Sequence, residues 1–159
     1  MRPALHECFK RFKELQCKGA EIGIEHGENA FVILREWLLS NGREIFLYLV
    51  DIDVKCEKIA TERLGTRDTY KIIIGDSKEV AKQFADGFFD WVYVDDNHEY
   101  EGARSSLEAW YPKVKDGGIL CGHDFNMEQV EDAVRGFFAR NKMELHTEEI
   151  DWWGVKCQA

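Results

Sequence analysis

Asp95, Asp96 and His98 form one short polar cluster, and His123 and Asp124 form a second. Each follows an apolar run, residues 91–94 and 119–121, that reads as a buried strand. Carboxylates and imidazoles gathered at one point could move a proton or hold a divalent cation. The intervening stretch, about 100–111, predicts a helix ended by Pro112. Strand–helix–strand units lay their strands parallel and close together, so the two clusters should meet at one sheet edge.

Three more strand ends carry groups that suit a ligand. Residues 20–24 predict a strand running through Gly23 and Gly27 into a helix, and glycines there let the backbone bend sharply and approach a ligand closely. Their G-x-x-x-G spacing differs from the G-x-G-x-x-G of dinucleotide sites, and glycine in such a turn is often purely structural. A second strand, 45–50, leads into Asp51, whose carboxylate could accept hydrogen bonds from both hydroxyls of a ribose. The alternative duty, capping the next helix, falls to Asp51 or to Asp53. A third strand, 71–74, leads into Gly75-Asp76-Ser77, positioned to meet an adenine edge or to cap a helix. Three compatible strand ends together favour an adenosine-like ligand.

Short apolar runs alternate with helical patterns at 28–39, 54–64, 78–85, 100–111 and 128–141, which predicts an α/β fold with a parallel sheet. Residues 144–147 and 152–156 read as two strands joined by a short turn, hence antiparallel to each other. The expected fold is a doubly wound, mostly parallel sheet with an antiparallel C-terminal hairpin. Trp91, Tyr93, Trp110 and Tyr111 fall on core faces. Trp152 and Trp153 point to opposite sides of their strand.

With 159 residues the chain fits one domain, expected to span 1–159. A net charge of -9 would repel a phosphate backbone, so nucleic acid is not the expected partner. Neither a bilayer-length apolar run nor a signal-peptide pattern is visible, and a cytoplasmic location with no membrane partner is expected. Cys8, Cys17, Cys56, Cys121 and Cys157 form no C-x-x-C pair and read mostly as buried thiols.

In order and spacing, EIGIEHGENA, LYLVD, GDS and FDWVYVDDNHEYEGARSSLEAWYPKVKDGGILCGHDF resemble the class I S-adenosylmethionine-dependent methyltransferases. Within them the chain is most similar to the small-molecule O-methyltransferases that include macrocin O-methyltransferase. The resemblance covers 18–156 and implies a Rossmann-like, seven-stranded sheet with its last strand antiparallel. It also implies that Glu21, Gly23 and Gly27 line the methionine and ribose end of S-adenosylmethionine, that Asp51 holds the ribose, and that Asp76 and Ser77 sit by the adenine. Asp95 would face the sulfonium methyl.

In the metal-dependent members, acids at the positions of Asp95, His123 and Asp124 bind a divalent cation, Mg²⁺ or Mn²⁺, and His98 corresponds to the general base. Asp95 would share in catalysis. The cation would bind a substrate hydroxyl and lower its pKa. Here His123 stands where several relatives carry a carboxylate. An imidazole shifts the preference from Mg²⁺ toward Mn²⁺, Fe²⁺ or Zn²⁺, and the alternative is that His123 only orients a neighbouring group.

The resemblance implies O-methylation of a small-molecule hydroxyl such as one on a sugar. Residues 1–17 supply one short helix where relatives carry a lid. Two arrangements stay open: an uncovered substrate site, or one completed by a second subunit of a homo-oligomer. Rival readings are a nucleotide-sugar or NAD-dependent oxidoreductase, hydrolysis by a metal-bound water, and a noncatalytic domain that binds S-adenosylmethionine or a protein. Clustering of Asp95, His98 and Asp124 discriminates the last.

Overall fold

The computed structural model describes residues 1–13, 16–39 and 45–157. Seven strands form one sheet: β1 (Cys17–Ile22), β2 (Ile45–Asp51), β3 (Tyr70–Ile74), β4 (Phe89–Val94), β5 (Val114–Gly122), β6 (His146–Glu148) and β7 (Asp151–Val155). Their order is β3-β2-β1-β4-β5-β7-β6. Neighbours from β3 through β5 pair in parallel, and β7 runs antiparallel to both β5 and β6. This is the Rossmann-like methyltransferase fold that the resemblance implied.

Helices α1 (Pro3–Phe12), α2 (Glu28–Leu39), α3 (Val54–Leu64), α4 (Ser77–Ala81), α5 (Tyr100–Trp110) and α6 (Glu128–Arg140) cover both faces. On one face Leu5, Cys8, Ile33, Leu34 and Trp37 pack with Leu47, Leu49, Trp91 and Tyr93. On the other, Val80, Leu107, Trp110, Val134 and Phe137 pack with Ile22, Val50, Val92 and Val94. Covered on both sides, β4 is buried at every position, which is why FDWVYV is continuously apolar apart from Asp90.

Helix α1 starts with Pro3 in its first turn, where the missing N–H costs nothing, and buries Ala4, Leu5, Cys8 and Phe12 on one face. Asp53 caps α3 by accepting from Lys55 N at 2.9 Å, so Asp51 is left for other work.

Some boundaries differ from the sequence reading. β1 begins at Cys17 and stops at Ile22, before the glycine turn. Helix α4 ends at Ala81 because Gln83 N and Phe84 N bond back to Val80 O and Ala81 O, a tighter winding than the α-helix. β5 starts at Val114, ahead of the expected run 119–121: residues 115–118 form a bulge inside the strand, with Gly117 at φ 75 and a register shift opposite Phe89 and Trp91.

Cys8, Cys17, Cys56 and Cys121 are buried free thiols, and Cys157 is exposed. Trp152 is buried, while Trp153 is half-buried and stacks on His146 at 5.7 Å. No helix among the described residues is long and apolar enough to cross a membrane.

Candidate active site

Because β1 to β5 run the same way, their carboxyl ends line one edge of the sheet, and a cleft of about 680 Å³ opens there. After β1, Gly23, Glu25 and Gly27, at φ 84, 47 and 70, reverse the chain into α2. A Cβ on Gly23 would lie 2.1 Å from the Asp95 carbonyl oxygen, and one on Gly27 would lie 3.0 Å from the Ala60 Cβ. Both glycines are therefore required by the protein's own packing, against β4 and α3. Gly23 also borders the cleft, whereas Gly27 is outside its wall.

Asp51, at the end of β2, pins that turn. Its Oδ2 accepts from Ile24 N and Glu25 N, both at 3.0 Å, and its Oδ1 from Asp53 N at 2.8 Å. Asp76 caps α4 through Lys78 N and Glu79 N at 3.0 and 3.4 Å. Ser77 Oγ donates to Asp96 Oδ2 at 2.5 Å, and Ser106 Oγ donates to the same oxygen at 2.8 Å. Burial pushes the Asp96 carboxyl up, although both hydroxyls oppose the shift. Its Oδ1 is buried with no hydrogen-bond partner among the described residues.

The acid–base cluster lies at the ends of β4 and β5. Asp95 is mostly buried, which pushes its pKa up to about 6 against the pull of Arg2. Arg2 Nη1 donates to Asp95 Oδ2 at 2.7 Å and to Tyr93 Oη at 2.9 Å. His98 Nε2 lies 2.8 Å from Asp124 Oδ2. His123 Nδ1 lies 3.0 Å from Asp124 Oδ1 and 3.9 Å from Asp95 Oδ1. Trp152 Nε1 donates to the His123 carbonyl at 3.0 Å, tying that loop to β7. Asp124 itself sits at φ 58, in the left-handed region that aspartate tolerates better than most residues.

Asp95, His98 and Asp124 can place donor atoms within 4.8 Å of one another. Two carboxylate oxygens and one imidazole nitrogen on one side of a cleft fit a divalent cation of the Mn²⁺ type. His123, the imidazole that the resemblance assigned to a cation, also lines the cleft, with its Nδ1 turned to the Asp124 carboxylate.

Glu21 is not in the cleft wall. It points into the protein, 2% exposed, and its Oε2 has no hydrogen-bond partner among the described residues. Burial raises its pKa to about 8; the Asn29 amide, close by but outside hydrogen-bond geometry, offsets part of the shift.

Sequence reasoning missed three residues. Arg2 enters the cleft from the N-terminal segment. Tyr93 is core, as expected, but its hydroxyl also donates to Asp151 Oδ1 at 3.0 Å. Asp151, 1% exposed, accepts from Ala4 N at 3.0 Å and so fastens α1 to β7. The available signal was weak: an aspartate opening an apolar strand, and an arginine just before a helix-starting proline.

A doubly wound sheet with a ligand-sized cleft at its carboxyl edge, glycine turn and acids included, defines a nucleotide-binding-like α/β protein. A family model described as a methyltransferase domain matches residues 20–125, and the chain belongs to this family. No curated protein matches it in sequence. Among solved structures it is similar to the MycE methyltransferase of the mycinamycin biosynthetic pathway in complex with Mg, SAH and mycinamycin VI, at 18% identity and a TM-score of 0.68. That match covers 98% of this chain and 49% of the other, so the chain spans about half the length of MycE. The O-methyltransferase NovP matches at 16% identity and a TM-score of 0.71, over 98% of this chain and 77% of NovP. CalS11, a TDP-rhamnose 3'-O-methyltransferase of calicheamicin biosynthesis, matches at 14% and 0.72, over 95% and 76%. At these identities the likeness is one of fold.

Proposed function

We propose that the chain is an S-adenosylmethionine-dependent O-methyltransferase acting on a small-molecule hydroxyl, such as one on a sugar. The observation that carries this is the meeting of Gly23, Asp51, Asp76 and Ser77 with Asp95, His98 and Asp124 in one cleft. MycE, a methyltransferase crystallised with mycinamycin VI, CalS11, a TDP-rhamnose 3'-O-methyltransferase, and NovP, an O-methyltransferase, lend support. The cleft also fits such a cofactor electrostatically. Six aspartates and Glu25 line it against two permanent cations, Arg2 and Lys78, which suits a sulfonium ligand. Its volume suits a small molecule. Residues 1–159 act in this reading as one domain, with Arg2, just before the short helix α1, bordering the site.

S-adenosylmethionine supplies a methyl group already activated by its sulfonium. The protein's work is to hold the nucleoside, exclude misaligned acceptors and remove a proton. Asp51 holds the ribose, Asp76 and Ser77 border the adenine, and Gly23 borders the methionine end. His98 accepts the hydroxyl proton at Nδ1 while Asp124, 2.8 Å from Nε2, orients the ring and stabilises the imidazolium. Asp95 helps to orient the acceptor. A divalent cation, if the enzyme uses one, would be held by Asp95, His98 and Asp124 and would acidify the bound hydroxyl. His98 would then serve as ligand and not as base. The clustering of these three side chains favours catalysis over a noncatalytic binding module.

Calorimetric titration with S-adenosylhomocysteine, with EDTA and then with Mg²⁺ or Mn²⁺, tests both parts. Micromolar binding in EDTA supports the nucleoside site, and no binding under any condition would refute it. Mn²⁺ binding that His98→Ala abolishes assigns His98 to the cation; binding that survives leaves His98 as base.

A further inference from the structure

We propose that Arg2 anchors the amino-acid carboxylate of the cofactor, a role that rests on the S-adenosylmethionine reading above. Both of its polar contacts, to Tyr93 Oη and Asp95 Oδ2, pass through Nη1. Among the described residues, Nε and Nη2 make no hydrogen bond or ion pair. A guanidinium carries five donors in a planar fork, and the unused edge matches a carboxylate bidentately. Arg2 is therefore held in place by one nitrogen and has the rest to offer. Its guanidinium carbon lies 5.5 Å from the centre of the Tyr93 ring, a further restraint on its position.

The charge distribution of the cleft singles out this residue. Of its two permanent cations, Lys78 lies 3.4 Å from Asp76, beside the end of β3. Arg2 lies at the opposite end of the site, against the end of β4. The remaining charged walls are carboxylates, which would repel an anion. S-adenosylmethionine has one anionic group, at the end of the molecule remote from the adenine. A nucleoside seated over Asp51 and Asp76 must direct that group away from β3, and Arg2 is the permanent cation there.

The same contact explains how a residue of the N-terminal segment reaches the site. Ala4 N donates to the buried Asp151 Oδ2, which fixes the first turn of α1 on β7. Arg2, immediately before that turn, is thereby held over β4 with its side chain 34% exposed. A side chain so restrained loses little freedom when it gains a carboxylate partner.

Calorimetry on the full chain with three ligands tests the assignment: S-adenosylhomocysteine, its decarboxylated analogue, and 5'-methylthioadenosine, which lacks the whole amino-acid head. Arg2→Met should weaken S-adenosylhomocysteine about tenfold to a hundredfold and leave the other two within about twofold of wild type. Arg2→Lys, which keeps the charge but not the fork, should fall between. A uniform loss across all three ligands would make Arg2 a purely structural residue and overturn the proposal, as would unchanged affinity for S-adenosylhomocysteine. Wild type that binds none of the three would instead refute the cofactor reading, and this assignment with it. Melting temperatures of the variants identify any that fail to fold, and Arg2→Lys then carries the comparison.

Discussion

Replacing Glu21 by Gln should remove a pH dependence built into the fold. In the folded chain burial raises the Glu21 pKa from 4.5 to about 8, so the side chain keeps its proton at neutral pH. In the unfolded chain it loses that proton near its ordinary value. Between those two points the folded state binds one more proton, and stability falls as pH rises, by about 1.4 kcal/mol per pH unit. The contribution is complete below about pH 4.5 and fully lost above about pH 8, a total on the order of 5 kcal/mol. Glutamine copies the shape of the protonated acid but has nothing to ionise. The Glu21→Gln variant should therefore match or trail wild type at pH 5 and exceed it at pH 9. Asp95, Asp96 and Asp151 are also raised by burial; Asp96 and Asp151 are common to both proteins and cancel in the difference, whereas Asp95, whose charge helps to raise Glu21, adds a smaller part to it. Urea denaturation at unit steps from pH 5 to pH 9 measures that difference directly. Parallel curves for the two proteins would refute the argument, because they would mean that Glu21 ionises alike in the folded and unfolded states.

Gly23→Ala should cost at least about 2 kcal/mol and lower turnover as well, since its Cβ would press on the Asp95 carbonyl and its φ is positive. Gly27→Ala, whose Cβ meets Ala60 at 3.0 Å, should be the milder change; equal losses in thermal denaturation would contradict this ranking. His98→Ala should reduce turnover by about a hundredfold or more with S-adenosylhomocysteine affinity little changed, as loss of a general base does. Asp51→Ala should instead weaken that affinity, both through loss of the proposed ribose contact and through release of the Ile24 and Glu25 amides. Loss of binding in both variants, measured by calorimetry, would defeat the division of roles.

Much of the fold was legible because both-face burial leaves a direct mark on sequence. Five strands read as apolar runs and the helices between them as amphipathic periods, and the parallel pairing of β4 with β5 followed from crossover geometry. The boundaries that shifted did so where glycine or a tight turn decides locally. Gly117 folds a bulge into β5 that reads as an ordinary turn, and the tight bonds after Ala81 end α4 early. The strand-end groups Asp51, Asp76, Asp95 and His98 were legible because their position depends only on where a strand stops. Which protein group each one touches was not.

Those contacts depend on elements far apart in sequence, and they change what the residues can do. Asp95 could be read as a free strand-end carboxylate; it is in fact paired with Arg2, whose placement depends on α1, whose first turn depends on Asp151 at the opposite end of the chain. His123 was expected among the donors because the resemblance places a metal-binding acid of the relatives at its position. The turn that brings Asp124 to φ 58 leaves His123 braced against the Asp124 carboxylate, and it is His98 whose ring reaches the other oxygen. A cleft of closely spaced acids would repel itself if each carboxylate were free. Here Asp51 is held by three backbone amides, Asp96 by two serine hydroxyls, Asp95 by a guanidinium and Asp124 by two imidazoles. Each tether spreads negative charge into the protein, so the acids can crowd one sheet edge and still leave the cleft negative enough to favour the cationic cofactor proposed for it.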